Sequence, residues 1–473
     1  MVKSGILDVM EEQMSNKMKD SNRRSGSQGR RRPGNQGGQR SGQRSGQPGC
    51  PSTRQPGSRQ ARNQARRRKV RRQRIARLIL ICALLLAAVL LGVTCARHHG
   101  SAVKTFDKGA ESAAKAVKAE SKKDISVTLR FAGDINFDDD YFPMQHFHEI
   151  GAESIDEVID PEYVALMNDA DLMWINNEFC YSDRGQPLAG KAFTFCANPE
   201  NAQYLNELGV DVAGLANNHV FDYGEEAILD TFDVLDEAGI PYVGAGHDID
   251  EAASPVYAKA GPFTIAYVAA ERAEKVQIVT QEATADQPGV LRCYDNERFI
   301  ESIKEAAEHA DYVIALPHWG TEKSTVLEDA QTEGARAYID AGADAVIGAH
   351  PHILQGIEYY EGKPIVYSLG NFWFDSYDLE TMVAELRLTR KGISGADDSM
   401  KEGDAAAGED GAQPGASNAG EFTVELILYP GMQSGMETHP ADKSEREEIF
   451  RHIEEISPQK IQIDENGVVK SGV

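Results

Sequence analysis

Residues 342–374 read GADAVIGAHPHILQGIEYYEGKPIVYSLGNFWF, and the fold turns on this stretch. The run 344–347 is short and β-branched at Val346 and Ile347, as a strand buried on both faces should be. Gly348 and Ala349 are small, so the backbone can turn tightly there and approach a ligand. His350 and His352 follow, with Pro351 stiffening the segment between them. A second run, 364–368, then leads into Ser368-Leu369-Gly370-Asn371. Two imidazoles on a stiff loop at the end of a buried strand suit metal ligation, because neutral imidazole is a common ligand.

Outward from this stretch, short apolar runs alternate with helical patterns. Strands are expected at 127–132, 172–175, 210–215, 264–268, 312–316, 345–348 and 364–368. Helices are expected at 161–170, 201–208, 223–238, 297–309 and 328–341. Such alternation means a layered α/β fold with right-handed crossovers. Two alternating segments, 382–389 and 422–429, should pair as a hairpin, and 443–456 reads as a charged helix.

Polar residues recur where these strands end: Gly133-Asp134-Ile135-Asn136, Asn176-Asn177-Glu178, Asn217-Asn218-His219, His318, and then His350 and His352. Ligands of open α/β sheets sit at the carboxyl ends of the strands. Taken singly, these residues have ordinary explanations: Asn217 and Asn218 as turn residues, Asp134 as a helix cap. Taken together, five strand ends deliver Asp, Glu, Asn and four His to one rim, which points to a metal site. The donor set holds carboxylate, amide oxygen and imidazole but no thiolate, so it suits Mn, Fe or Zn rather than a structural Cys-rich zinc. One carboxylate between groups of imidazoles suggests a bridged pair of ions, the arrangement used for phosphoryl displacement.

Composition bounds the rest. The chain has 473 residues and a net charge of −25. That mean hides a split, with about +17 in residues 1–77 and −42 in the remainder. Residues 1–77 are rich in Arg, Gly, Gln and Ser, cannot bury a core, and read as a disordered basic cytoplasmic tail facing anionic lipid. An RNA-binding tail is the competing reading, and no nucleic-acid partner is expected. Residues 78–96, LILICALLLAAVLLGVTCA, carry no charge and approach the ~20 residues that span a bilayer. The basic flank 65–77 places the N-terminus inside and the main domain outside the cell. Then come a stalk (97–123), the main domain (124–390 plus 421–440), a disordered insert (391–420) and a C-terminal tail (441–473). None of the six cysteines forms a CxxC pair, which excludes zinc-knuckle and thioredoxin-like motifs. Cys180 and Cys196 are candidates for a disulfide that spacing alone does not decide.

The order GD, NNE, NNH, HWG-x-E, GAHPH, YSLGNF, from about 127 to 375, resembles the CapA family of capsule and poly-γ-glutamate synthesis. That family in turn resembles the calcineurin-like metallophosphoesterases. The resemblance implies a four-layer α/β/β/α sandwich with a dinuclear site at its rim. It implies Asp134 and His352 on a first metal, Glu178 as the bridge, and Asn218, His318 and His350 on a second. His219 would then be the acid outside the metal sphere. Asn136, Glu322 and Asn371 would lie around these ligands. Two departures stand out: Asn136 where many phosphoesterases have histidine, and Glu where they have a bridging Asp. The function implied is a membrane-anchored hydrolase of the phosphoesterase type. The alternative is a non-catalytic partner of a polyglutamate synthase or exporter. The negative main domain repels a polyanion, so such contact would be local, through the metals or a basic patch of Arg272, Lys275 and Arg292.

Overall fold

The computed structural model describes residues 123–272, 280–393 and 422–472. The expected basic tail (1–77), the membrane span (78–96), the stalk up to residue 122, Lys275 and residues 394–420 of the expected insert lie outside the described residues. Among the described residues, no helix is long and apolar enough to cross a membrane.

The first strand, Lys123–Ile135, alternates sharply. Val127, Leu129 and Phe131 point into one buried cluster, whereas Ala132 and Ile135 belong to another on the opposite face. Both faces must therefore be covered, and the sheet around it shows how. The strand pairs antiparallel with Leu379–Ile393 on one side and parallel with Leu172–Asn177 on the other. Val212–Gly214 and Tyr242–Val243 extend the parallel side; Thr423–Ser434, Val468–Ser471 and Ile461–Ile463 extend the antiparallel side. A second sheet of six strands runs in the order Ile357–Tyr360, Lys363–Val366, Ala345–Ile347, Tyr312–His318, Phe263–Glu271, Val256–Ala260. In Phe263–Glu271 the same alternation appears. Ile265, Tyr267 and Ala269 join Leu129 and Phe131 between the sheets, while Ala266, Val268 and Ala270 face outward.

Helices close the two outer faces. Phe299, Ile303 and Ala306 of Glu297–His309 and Ala335, Tyr338 and Ile339 of Asp329–Ala341 cover the second sheet. Met144 and Phe147 of Phe142–Ile150, Tyr163 and Met167 of Pro161–Asn168, and Ile228, Phe232 and Leu235 of Glu225–Ala238 cover the first. The result is an α/β molecule of helices, sheet, sheet and helices. The polar face of the first sheet carries a buried ion pair. Arg130 and Glu385 are register partners, with Nε and Oε2 2.8 Å apart.

The two facing sheets agree with the expected sandwich: parallel strands of both end at one edge, and the polar residues come from both. The structure corrects the sequence reading in other places. Asn176 and Asn177 lie inside their strand, which runs Leu172–Asn177. The segment 201–208 splits into a 3-10 turn, Pro199–Ala202, and a short helix, Gln203–Glu207, because Pro199 starts it early. The predicted hairpin forms, with Thr389 paired to Thr423, but its first strand runs on to Ile393, three residues into the expected insert. The expected tail 441–473 is not a tail. Ile449, Phe450 and Ile453 of Lys443–Ile456 pack into the inter-sheet core, and the last two strands join the first sheet. The helix Phe142–Ile150 has no counterpart in the sequence reading. Its marks were Pro143 at the start, apolar Met144 and Phe147, and Gly151 in the left-handed region at its end.

Candidate metal centre

The first sheet presents Asp134 through a fault in register. Ala132 pairs with Ile175 and Asp134 with Asn176, so one position slips between them. Gly133 at that point admits no side chain, since a Cβ would meet the Gly370 carbonyl oxygen at 1.9 Å. That carbonyl accepts a hydrogen bond from the Asp134 N–H at 3.0 Å. The GD pair is thus explained by the SLGN loop crossing directly over it. Asn176 then ties the carboxylates together. Its Nδ2 donates to Asp134 Oδ1 at 2.7 Å and to Glu178 Oε2 at 3.0 Å. Asn217 holds the next loop: its side chain donates to the Asn177 carbonyl at 2.9 Å and accepts from the N–H groups of His219 and Val220.

The second sheet presents imidazoles, and it does so through strain. His350 has φ 97° and His352 φ 58°, both in the left-handed region that favours glycine. Such conformations cost of order 1–3 kcal/mol each and persist where surrounding structure imposes them. Gly348 permits the approach, because a Cβ there would meet the Tyr367 carbonyl oxygen at 2.2 Å. His352 Nδ1 hydrogen-bonds Asn371 Oδ1 at 2.8 Å. The ring N–H is aimed at Asn371, so Asp134 Oδ2 has no hydrogen-bond partner although it lies 3.0 Å from the same nitrogen.

The two halves meet at Glu178. Its Oε1 is buried without a hydrogen-bond partner and lies 3.6 Å from His318 Nε2, 3.8 Å from His352 Nε2 and 3.9 Å from His219 Nε2. Two trios, Asp134–Glu178–His352 and Glu178–His318–His350, each place one donor atom per residue within 4.8 Å of the others. Asn218 Oδ1 stands 2.9 Å from His318 Nε2, and His350 Nδ1 stands 3.2 Å from that same nitrogen.

Electrostatics fits a missing positive charge. Burial holds His318 and His350 well below the usual imidazole range, so both present lone pairs. Burial and the neighbouring Asp134 push Glu178 well above the usual carboxylate range. Burial works against a proton on His352, but the nearby Asp134 carboxylate outweighs it and raises that group. These acidic and imidazole groups are positioned to bind metal.

His219 lies beside this cluster, with Nδ1 2.7 Å from Asp222 Oδ2. Burial lowers its pKa, against the opposing charge of Asp222. Asp222 also receives the Lys191 ammonium at 2.7 Å and the Phe195 N–H at 2.7 Å. The sequence reading placed Asn176 at a strand end beside Glu178 without giving it a role, and it did not name Asp222 or Lys191. Asp222, three residues after His219, left a local signal. Asn136 is buried; its Oδ1 accepts from the Asp138 N–H while its Nδ2 has no hydrogen-bond partner. Asn371 stands where the resemblance puts it, against His352, and donates in turn to Asp375 at 3.1 Å. Glu322 does not: it is exposed and acts on His352 and Glu178 through its charge, with no hydrogen bond to an imidazole among the described residues. Of the expected basic patch, Arg292 pairs with buried Glu271 at 3.0 Å, and Arg272 lies over the Tyr294 ring. Ser368 shapes the loop, donating to the Ile353 carbonyl.

Residues 128–376, more than half of the chain, match the family described as bacterial capsule synthesis protein PGA_cap, and the chain belongs to that family. It is similar to the PGA biosynthesis protein CapA of Bacillus subtilis, 34% identical over 263 residues, covering 55% of this chain and 67% of that one. The capsule biosynthesis protein CapA of Bacillus anthracis is 35% identical over 191 residues, 40% of this chain and 46% of that one. A Mycobacterium tuberculosis protein named "Probable polyglutamine synthesis accessory protein" is 31% identical over 229 residues, 46% of this chain and 60% of its own length. Among solved structures, a novel phosphatase from Mycoplasma pneumoniae aligns over 70% of this chain and 99% of its own, at 10% identity and a TM-score of 0.35, a likeness too slight to bear on function.

Proposed function

We propose that this protein is a membrane-anchored, extracytoplasmic hydrolase of the phosphoesterase type, working in capsule or poly-γ-glutamate synthesis or export, with two divalent cations held between its sheets. The observation that carries the reading is Glu178 Oε1, buried, unpaired, and within 3.9 Å of three imidazole nitrogens. A buried carboxylate oxygen left without a hydrogen bond is costly unless a cation lies beside it. Asp134, Glu178 and His352 would hold one ion, and Glu178, Asn218, His318 and His350 the other. The oxygen and nitrogen donors suit Mn, Fe or Zn. Bound there, the ions supply Lewis acidity and a water of lowered pKa. His219 acts from outside that sphere. Asp222 accepts from its Nδ1–H, which turns Nε2 toward Glu178 and the reacting group. From that position Nε2 delivers a proton to a departing oxygen. Lys191 pairs with Asp222 at 2.7 Å and anchors that carboxylate beside the imidazole.

A second reading is an accessory partner of a polyglutamate synthase or exporter, in which the cations brace the fold. The name of the mycobacterial relative favours it. So does Asn136, whose buried amide nitrogen finds no partner where phosphoesterases place a ligand. Elemental analysis of the purified chain, with a panel of phosphate mono- and diesters, separates the readings. The hydrolase gives about two ions per chain and turnover that Glu178→Gln abolishes together with the metal. Metal without turnover on any ester establishes the accessory reading. No metal under replete conditions overturns both.

A further inference from the structure

Cys180 and Cys196 are register partners in a small parallel pair, Cys180–Tyr181 with Cys196–Ala197. Residues opposite one another on neighbouring strands point to the same side, about 4.8 Å apart. A disulfide needs Cα atoms roughly 4.4–6.8 Å apart and Cβ vectors that converge. Register pairing brings the two Cα atoms into that range and puts both side chains on one side. Each thiol meets a nearby backbone carbonyl, Cys180 Sγ donating to the Phe195 oxygen at 3.3 Å and Cys196 Sγ to the Ser182 oxygen at 3.5 Å. Both are free; Cys180 is buried and Cys196 is partly exposed.

We propose that Cys180 and Cys196 are a redox-active pair that closes to an intramolecular disulfide by exchange with a small disulfide donor, pinning both ends of the loop that covers His219. The difference in burial orders the chemistry. The Cys196 thiolate attacks a sulfur of the donor, the donor's S–S bond breaks, and one donor thiol leaves. Cys180 then attacks Cys196 Sγ in the mixed disulfide and expels the second donor thiol. Two protein thiols are oxidised, the donor disulfide is reduced to two thiols, and the two protons pass to those thiols. Because Cys180 is buried and Cys196 is not, the second step is the slow one.

What the bond would hold is the loop between the two cysteines. Its Leu188 N–H donates to the Asp222 carbonyl at 2.9 Å, and Lys191 reaches the Asp222 carboxylate at 2.7 Å. The Phe195 ring lies 4.5 Å from the His219 ring. Opening the pair frees both ends of that loop, and closing it fixes the wall against which His219 packs. This inference does not depend on metal or turnover.

The test incubates the full chain with oxidised glutathione at pH 8.5, followed by denaturation, alkylation and peptide mapping. The expected result is a Cys180–Cys196 peptide lighter by two hydrogens and a melting temperature raised by about 5–10 °C. Cys293, whose thiol burial pushes up to about 12, stays reduced as the internal control. Cys180→Ser should trap glutathione on Cys196 as a stable mixed disulfide, and Cys196→Ser should leave Cys180 unmodified. Failure of the wild type to close while Cys180→Ser traps glutathione overturns the geometry. Absence of any adduct on Cys196 in Cys180→Ser overturns the entry route, and with it the proposal.

Discussion

The two sheets supply the site in different currencies. The first delivers oxygen: Asp134, Glu178 and Asn218, braced by Asn176 and Asn217 through ordinary hydrogen bonds. The second delivers nitrogen: His318 at a strand end, and His350 and His352 on a loop bent into the left-handed region. One half is braced by side-chain amides, with one oxygen each of Asp134 and Glu178 left without a hydrogen bond, and the other is set by imposed backbone. The contrast suggests a centre that is assembled when the sheets pack, its oxygen half preorganised and its nitrogen half under load. Cations bound there would crosslink two layers that also meet through apolar side chains and through polar contacts such as Arg390 with Asp311 at 3.2 Å.

That contrast can be broken at three points. His219 belongs to the oxygen half but touches neither trio as a ligand, so His219→Ala should keep the metal while turnover falls by ~100- to 10,000-fold, as loss of a general acid does. Single-turnover rates beside elemental analysis check this, and parallel loss of metal would place His219 among the ligands instead. A smaller effect is expected at the bracing residues. Asn176→Ala and Asn371→Ala should each weaken metal affinity by ~10- to 100-fold, read by competition with a chelating dye. If the oxygen half is the better ordered, Asn176→Ala should be the worse of the two. The smallest effect concerns the load. Without metal, His350→Gly should raise the stability of the chain by about 1 kcal/mol in urea titration, because glycine adopts φ 97° freely. With metal present the same variant should be the less stable, since it has lost a donor.

Much of this was legible in the chain, and the pattern of what was not has a physical cause. The helix Glu297–His309 was readable to the residue because Phe299, Ile303 and Ala306 repeat at helical spacing. The hairpin was readable because its two strands alternate in step. Glu178, His318, His350 and His352 stood out because each follows an apolar strand, and strand ends are where chemistry gathers. The site residues whose roles escaped notice are tied by contacts no local pattern encodes. Lys191 meets Asp222 31 positions on, and Asn176 links Asp134, 42 positions back, to Glu178. The C-terminal helix was legible at its full bounds, but its packing was not. Its few apolar residues do not outweigh its charge in the sequence, yet Ile449, Phe450 and Ile453 fill the space between the sheets.

The long strand that opens the described residues has its own lesson. Lys123 and Asp134 sit at its two ends, roughly 35–40 Å apart at the rise of an extended chain. Ile393 pairs with Lys123, and Thr389 with Thr423, so the chain also leaves for and returns from residues 394–421 at the Lys123 end. Residue 123 and the two ends that flank 394–421 therefore lie at one end of this strand, and the candidate metal ligand Asp134 lies at the other. Changes of length at the first end need not disturb the second.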